Sequence, residues 1–281
     1  MRGKVKMILF LQVLLSVLFT ILFLIFGTYE LNFTGILTII GVFLLAMIAF
    51  IILLFLFFVT VLFFFTKTDP KNLFKHQLFN TIGFYIFNVL LRVKIVVSGK
   101  ENLPSNNHFV VVSNHIEYTD PIYVKQVFND YPISYVSKES LFKVPIVRRL
   151  LKSSGCIPIY RGDNRQAMQS ILLAIQSVKN GQPMGIFPEG TRSYKNEIAP
   201  FKAGSLKLAT KAKADICPIC LYNMHGIFKK GRIKIHKGYC HILPRIPFEE
   251  YENLDTLEIT KRIELLISNQ LTEFKKMHPE D

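Results

Sequence analysis

The chain has 281 residues, half of them hydrophobic, and a formal net charge of +14 at pH 7. That length suits one sizeable domain with an appendage, and a second full domain is not expected. Four irregularly spaced cysteines are too few for a disulfide-rich secreted fold, and the dispersed basic residues form no nucleic-acid-binding motif, so we predict no nucleic-acid partner.

The hydrophobic excess is concentrated near the N-terminus, in two long runs without a charged residue. Residues 7–27 and 35–66 are each long enough for a helix that crosses a bilayer, which needs about 20 apolar residues. A cleaved signal peptide would call for a small-residue cleavage site and would not explain the second run. We therefore predict a two-helix transmembrane hairpin, with residues 1–66 as a two-span anchor.

The charges around these runs predict the orientation of the anchor. Basic residues precede the first run and follow the second, whereas a single acidic residue lies between the runs. The residues are Arg2, Lys4, Lys6, Glu30, Lys67, Lys71 and Lys75. By the positive-inside rule both ends are cytoplasmic, at either a bacterial plasma membrane or the endoplasmic reticulum. We expect the strongly basic remainder, residues 67–281, to contact anionic lipid headgroups and to attract phosphate-bearing ligands.

From residue 67 onwards, short apolar runs alternate with amphipathic stretches, a pattern typical of an α/β fold. Apolar, often β-branched runs predict strands at residues 93–97, 109–112, 134–136, 157–160, 184–187, 216–221 and 233–236. Apolar residues at three-and-four spacing predict two helices, one between the N-cap Asp163 and Gly181 and one over residues 257–274. We predict a mostly parallel or mixed sheet flanked by helices.

Two features of this domain have more than one interpretation. Residues 74–92 present a broad apolar face with aromatics, which fits either a helix in the membrane interface or a helix of the domain core. Cys217-Pro218-Ile219-Cys220 has the C-x-x-C spacing of a zinc or redox site. Because no second pair matches it and the segment has the pattern of an apolar strand, we favour two strand cysteines and predict no metal site.

A histidine and an aspartate follow the second predicted strand. Strand 109–112 leads into Ser113-Asn114-His115, and Asp120-Pro121 provides an N-cap and a first-turn proline for the next helix. A loop between strand and helix can fold the Asp120 carboxylate against the His115 imidazole, which would prepare the ring to take a proton from a hydroxyl. By itself the pair also fits a turn histidine with a capping aspartate.

A second polar loop follows strand 184–187. It contains Pro188-Glu189-Gly190-Thr191-Arg192-Ser193, and Lys202 comes shortly before another helix. Backbone amides near a glycine, together with the forked donors of an arginine, are suited to binding phosphate. The alternative is a solvent loop with a capping glutamate and an arginine of no function.

Together the two loops resemble the motifs of the glycerolipid acyltransferase family, whose members include 1-acylglycerol-3-phosphate acyltransferases. Its first motif is Asn-His, four residues and Asp, as in residues 114–120, and its third, Phe-Pro-Glu-Gly-Thr-Arg, is matched without change by residues 187–192. Its second and fourth motifs resemble residues 155–161 and 216–219. All four occur in the family's order, and this combination is specific although each motif alone is not.

This resemblance implies a function and a set of site residues. The expected activity transfers a fatty acyl group from acyl-CoA or acyl carrier protein to the sn-2 hydroxyl of 1-acylglycerol 3-phosphate (lysophosphatidic acid), giving phosphatidic acid for phospholipid biosynthesis. No cofactor beyond the thioester co-substrate is implied. His115 would act as the general base, oriented by Asp120. The expected acceptor-binding residues are Arg161, Glu189, Gly190, Thr191, Arg192 and, as a weaker candidate, Lys202.

Two departures from the family pattern leave the acceptor open. Glu117 stands where members often have a small or uncharged residue, and Tyr160 stands where the residue is often acidic. Glycerol 3-phosphate or another lysolipid is therefore an alternative acceptor. More distant alternatives are a membrane phosphohydrolase with His115 as nucleophile and a non-enzymatic, basic membrane-binding protein.

Overall fold

The computed structural model describes residues 2–27, 32–160, 163–229 and 232–279. The chain divides into two compact units, Met1–Thr66 and Lys67–Asp281. Glu30, one of the charges from which the orientation of the anchor was predicted, lies outside the described residues.

The first unit consists of two apolar helices, α1 (Arg2–Phe26) and α2 (Phe33–Phe65), which correspond to the two uncharged runs of the sequence. In α1 the Gln12 side chain is buried, and its Nε2 donates to the Met47 carbonyl of α2 at 3.3 Å. A polar group of the apolar run therefore faces the neighbouring helix, as expected for helices that pack together in lipid. By length and composition both helices could cross a membrane.

The second unit is built on a seven-stranded sheet. Its strands are β1 (Val93–Ser98), β2 (Phe109–Ser113), β3 (Ser134–Lys138), β4 (Ile157–Ile159), β5 (Met184–Ile186), β6 (Asp215–Tyr222) and β7 (His236–Ile242). They lie in the order β1-β7-β6-β2-β5-β3-β4. Strands β2 to β6 are parallel, whereas β7 is antiparallel to β6 and pairs in parallel with β1. The prediction of a mostly parallel, mixed sheet is confirmed.

The directions of the strands bring several loops to one edge of the sheet, which we call the carboxyl edge. Strands β2 to β6 end at this edge, and β1 and β7 begin there. Strand β2 has partners on both sides and is buried along its whole length, as its run of apolar, mostly β-branched residues requires. The loops after β2 and β5 therefore leave from adjacent strands.

Helices cover both faces of this sheet. They are α3 (Leu73–Phe84, continued as a π-helix over Tyr85–Leu90), α4 (Asp120–Val127), α5 (Pro145–Ser153), α6 (Asn164–Lys179), α7 (Lys207–Ala212) and α8 (Thr256–Met277). Val110 and Val112 of β2 pack in a core cluster with residues of α6, α7 and α8. Phe109 and Val111 point to the other face and pack with residues of α4. This alternation follows from the two-residue period of a strand.

The two helices predicted from apolar spacing are confirmed as α6 and α8. Asp163 caps α6 by accepting the backbone N–H of Gln166 at 3.0 Å. The stretch over residues 74–92 contributes to the domain core, because Phe87 and Leu91 pack against the cluster next to α4.

The prediction of a strand at residues 233–236 was wrong, since β7 begins at His236 and runs to Ile242. Ile233 and Ile235 are exposed in the loop before it. The strand contains Gly238, where a Cβ would lie 2.7 Å from the Met224 sulfur. Glycine at this position allows the close approach of Met224, and with His236 and Lys237 before it the start of the strand has no apolar side chain from which a strand would be predicted.

Cys217 and Cys220 lie on β6 and belong to the core clusters on opposite faces of the sheet. Residues three apart on a strand point in opposite directions, so the two thiols cannot share a ligand. Both are free and buried, and the interpretation as two strand cysteines is confirmed. Burial raises the pKa of both thiols well above the usual range, which suits unreactive core residues.

Candidate active site

The loops that contain the two polar motifs meet at the carboxyl edge. One begins at Asn114, after β2, and the other at Phe187, after the neighbouring strand β5. The Asn114 side chain is buried and bonded to β6, donating to the Leu221 carbonyl at 2.9 Å and accepting the Leu221 N–H at 2.8 Å. This amide pair extends the sheet by one residue and fixes the point at which the first loop departs.

His115 and Asp120 are in direct contact. The His115 Nδ1 lies 2.8 Å from Oδ2 of the buried Asp120, and the same oxygen accepts the backbone N–H groups of Ile116 at 2.6 Å and Glu117 at 2.8 Å. Asp120 is the first residue of α4, so the helix start brings its carboxylate back under the loop. Three donors on one oxygen hold the loop and the imidazole in a single arrangement.

This contact determines which ring nitrogen can act as a base. Burial raises the pKa of the Asp120 carboxyl, against the opposing effects of its hydrogen bond to His115, the His115 charge and the two backbone amides. A carboxylate facing Nδ1 favours the tautomer with its proton on Nδ1 and the lone pair on Nε2. No hydrogen-bond partner reaches Nε2 among the described residues, and the side chain is 17% exposed. The Phe187 ring stacks on the imidazole at 4.1 Å between centroids, which fixes its plane.

Glu189 is buried between the two loops. Its Oε1 accepts the backbone N–H of His115 at 2.6 Å, and its Oε2 accepts that of Ala199 at 2.9 Å. Burial raises the pKa of this carboxyl, and the two backbone hydrogen bonds lower it. The sequence predicted an acceptor-binding role for Glu189, whereas in the structure both of its oxygens accept backbone N–H groups, those of His115 and Ala199.

Backbone hydrogen bonds also connect the two loops. The Ser193 N–H donates to the His115 carbonyl at 2.9 Å, and the Tyr194 N–H donates to the Ile116 carbonyl at 3.1 Å. These bonds fix the position of His115, the general-base candidate, relative to the loop that contains the predicted phosphate-binding residues.

Arg192 is held between two tyrosines. Its Cζ lies 3.2 Å from the centroid of the Tyr118 ring and 5.2 Å from that of Tyr194, a geometry typical of cation–π contact. Its Nη1 is buried and has no hydrogen-bond partner among the described residues. Tyr118 was not among the site residues predicted from the sequence, although an aromatic residue inside the first motif was a usable signal.

The other predicted site residues differ in how well they are placed. The Lys202 ammonium lies over Gly190, because a Cβ at that glycine would be 2.8 Å from its Nζ. Gly190 has a φ of +72°, a conformation that favours glycine. Thr191 is exposed in the same loop, and Arg161 lies outside the described residues.

Glu117, the departure within the first motif, is turned into its own loop. Its side chain is buried, and Oε1 accepts the backbone N–H of Tyr118 at 2.7 Å. Burial raises the pKa of this carboxyl, whereas the positive charges of Arg192, His115 and His225 lower it. The hydrogen bond from Glu117 therefore helps to fix the backbone of Tyr118, whose ring stacks on Arg192.

Comparisons with known proteins agree with this geometry. The acyltransferase family model matches residues 94–222. The chain is 35% identical over 188 residues to the 1-acyl-sn-glycerol-3-phosphate acyltransferase of Borreliella burgdorferi, which covers 63% of this chain and 74% of that protein. It is 32% identical over 151 residues to the Bacillus subtilis enzyme of the same name, covering 53% and 74% respectively.

The fold is also similar to a solved structure. The crystal structure of the 1-acyl-sn-glycerophosphate (LPA) acyltransferase PlsC from Thermotoga maritima superposes with a TM-score of 0.64 at 24% sequence identity. The match covers 78% of this chain and 89% of that one.

The contacts of Glu189 predict a structural effect of its replacement. In Glu189→Gln one side-chain oxygen becomes an NH₂ group, so either the His115 or the Ala199 N–H loses its acceptor in a buried site. We expect a loss of about 1–3 kcal/mol of stability, measured from thermal unfolding in detergent. Glu197→Gln removes the same charge at an exposed position of the same loop and should leave the midpoint unchanged. Equal midpoints for the two variants would contradict this role.

Proposed function

Because the chain belongs to the acyltransferase family, we propose that it transfers a fatty acyl group from a thioester to the sn-2 hydroxyl of 1-acylglycerol 3-phosphate, giving phosphatidic acid. Two bacterial relatives are named as enzymes for that acceptor. One observation carries the proposal: the 2.8 Å His115–Asp120 contact lies in a loop bonded to the one that holds Arg192. The first pair can activate a hydroxyl and the second loop can bind a phosphate, which are the two requirements of this acceptor.

In the proposed reaction His115 acts as the general base. Its Nε2 takes the proton of the acceptor hydroxyl while the hydroxyl oxygen attacks the thioester carbonyl carbon. The tetrahedral intermediate collapses as the C–S bond breaks, and the departing sulfur takes the proton back from Nε2. An ester and a free thiol result without a covalent bond to the enzyme. Asp120 stabilises the imidazolium that exists between the two proton transfers.

The acceptor phosphate is assigned to the loop after β5. The unpaired Nη1 of Arg192, within the described part of the chain, and the Lys202 ammonium over Gly190 supply cationic donors. Gly190, Thr191 and Arg161 stay predicted members of this phosphate-binding group. Gly190 would contribute its backbone N–H, and Thr191 its backbone N–H or its hydroxyl. Glu189 contributes indirectly, through the backbone that it holds.

The lipid nature of the acceptor and product suits a membrane-anchored enzyme. The two apolar helices of the first unit favour such an anchor, and the basic residues that flank them favour a cytoplasmic active site. Both acyl-CoA and acyl carrier protein are candidate donors, and the thioester chemistry is the same for each.

A matrix of donors and acceptors tests the function. Purified full-length protein is given labelled acyl-CoA or labelled acyl carrier protein together with lysophosphatidic acid, glycerol 3-phosphate or another lysolipid. We expect labelled phosphatidic acid from lysophosphatidic acid with at least one donor. Product from glycerol 3-phosphate alone would overturn the acceptor assignment, and phosphate release without any donor would favour a phosphohydrolase.

Loss of the imidazole should abolish most of the activity. We expect His115→Ala to lower kcat by about 10²–10⁴-fold, the usual contribution of a general base, while the protein stays folded and bound to membranes. His108→Ala is the matched control, because this histidine precedes β2 at the opposite edge and contacts the Ala212 carbonyl at 3.1 Å. Wild-type turnover in His115→Ala would refute the base assignment.

The tyrosine contact predicts a graded effect on acceptor binding. Arg192→Ala should reduce kcat/KM for the phosphorylated acceptor by about 10- to 100-fold, the size of one charged hydrogen bond. Tyr118→Leu removes the ring that faces the guanidinium and should raise the acceptor KM by roughly 2- to 30-fold, whereas Tyr118→Phe keeps the ring and should behave as wild type.

Donor kinetics serve as the internal control for these variants. The KM for the thioester should stay constant in Arg192→Ala and Tyr118→Leu. A parallel rise in donor and acceptor KM would indicate a general disturbance of the site and would count against a specific role in acceptor binding.

A further inference from the structure

Glu117 puts a carboxylate beside the cation of the proposed acceptor site. Its side chain is 8% exposed, and Oε1 accepts the backbone N–H of Tyr118 at 2.7 Å. The ring of the same tyrosine carries the guanidinium of Arg192, whose Cζ lies 3.2 Å from the ring centroid. Tyr118 therefore holds the carboxylate through its backbone and the cation through its ring. An anion that binds Arg192 then also lies near Glu117.

The side chains whose charges act on Glu117 come from three loops. Burial raises the pKa of its carboxyl, and cationic side chains lower it, in the order Arg192, His115 and His225. Arg192 belongs to the loop after β5 and His115 to the loop of Glu117 itself, whereas His225 follows β6. In its own loop, Asp120 is a second carboxylate, which accepts the backbone N–H of Glu117 at 2.8 Å.

Two buried nitrogens of these cationic side chains have no hydrogen-bond partner in the described part of the chain. They are Nη1 of Arg192 and Nδ1 of His225. Within the same ranges neither residue forms an ion pair with Glu117. Buried polar groups are rarely left without a hydrogen bond. Arg192 therefore keeps a donor for an incoming anion, while the Glu117 carboxylate offsets part of the positive charge nearby.

A phosphomonoester headgroup changes the charge balance around Glu117. Such a group carries about −1.5 to −2 charges at pH 7. An ionised carboxylate repels it, and a like charge that arrives nearby raises the pKa of the carboxyl further. Because Oε1 is engaged with the Tyr118 N–H, an added proton is carried on Oε2. Protonation thus turns a repelling group into a donor for a phosphate oxygen.

We propose that Glu117 is a specificity-determining residue of the acceptor site, whose carboxylate takes a proton from solvent when a phosphomonoester headgroup binds Arg192 and returns it when the headgroup leaves. This inference rests on the proposed function, since it assumes that the acceptor phosphate binds at Arg192. A phosphodiester headgroup brings a single negative charge and is repelled less. Glu117 therefore makes the preference between the two headgroup classes depend on pH.

The direction of the pH dependence follows from the pKa of the Glu117 carboxyl in the two states. In the free protein the carboxyl is ionised above a pKa that burial has raised, and with phosphate bound it stays neutral to a still higher pH. Between these two pKa values the affinity for the phosphomonoester falls as the pH rises. Below both values the carboxyl is neutral in each state and causes no repulsion.

Glu117→Gln tests the charge alone, because the amide oxygen still accepts the Tyr118 N–H. The acceptor KM for lysophosphatidic acid is measured for the wild type and the variant from about pH 5 to 9. We expect the wild-type KM to equal that of the variant at the acidic end and to exceed it by about 3- to 10-fold at the alkaline end. The ratio of the two KM values cancels the ionisation of the lipid phosphate itself.

Glu252→Gln is the matched control, since it removes the same charge at an exposed position. Its neighbour Tyr251 donates to the Ala214 carbonyl just before β6, at the edge of the sheet opposite to the carboxyl edge. This variant should have the wild-type KM at every pH. A constant KM ratio for Glu117→Gln, or a variant KM above that of the wild type, would overturn the proposal and leave Glu117 with a structural role only.

Calorimetric titration separates this inference from the proposed function, because it needs no turnover. Full-length protein in detergent is titrated with a short-chain lysophosphatidic acid in two buffers of different ionisation enthalpy. Between the two pKa values the wild type should take up as much as about one proton more than Glu117→Gln. A short-chain lysophosphatidylglycerol, a phosphodiester, should show a smaller difference. Equal proton uptake by both proteins would refute the inference, whereas unequal uptake without acyl transfer would refute the proposed function alone.

Discussion

The proposed active site depends on one buried carboxylate oxygen, Oδ2 of Asp120. Oδ2 of Asp120 accepts the His115 Nδ1 proton and the N–H groups of Ile116 and Glu117, all within 2.8 Å. Removing a carboxylate from water is costly unless such donors replace the lost solvation. The short loop between β2 and α4 supplies them, so the same contacts that make the buried charge tolerable also fix the orientation of the imidazole. The contacts that fold the loop therefore also orient the imidazole that we propose as the general base.

The loop after β5 also helps to hold His115 in place. Glu189 holds the His115 N–H from the β5 side, and Phe187 stacks on the ring. Arg192 follows a few residues later, with its guanidinium on the face of Tyr118. The first motif thus supplies the aromatic ring on which Arg192 of the third motif stacks, and the third motif supplies the carboxylate that holds the His115 backbone of the first. This reciprocity explains why the two motifs are informative together and weak separately.

Local pattern predicted much of this molecule. The buried strand β2, the capped helix α6 and the apolar face of α8 follow from strand and helix periodicity, and the family resemblance identified both loops. Pattern failed where a contact joins distant parts of the chain. Glu189 and His115 are 74 residues apart, so the sequence could not show that this carboxylate is already engaged. The start of β7 was missed because its first three residues, His236, Lys237 and Gly238, carry no apolar side chain.

The links between the two loops run through the main chain. The Ser193 and Tyr194 N–H groups bond to the His115 and Ile116 carbonyls, and every residue except proline can supply such a donor. Tyr194 is the more restricted of the two positions, because its φ is +55° and its ring lies near Arg192. At residue 193 a change of side chain to any residue but proline can keep the main-chain bond to His115, so the position of the imidazole and the chemistry of this part of the loop can vary independently.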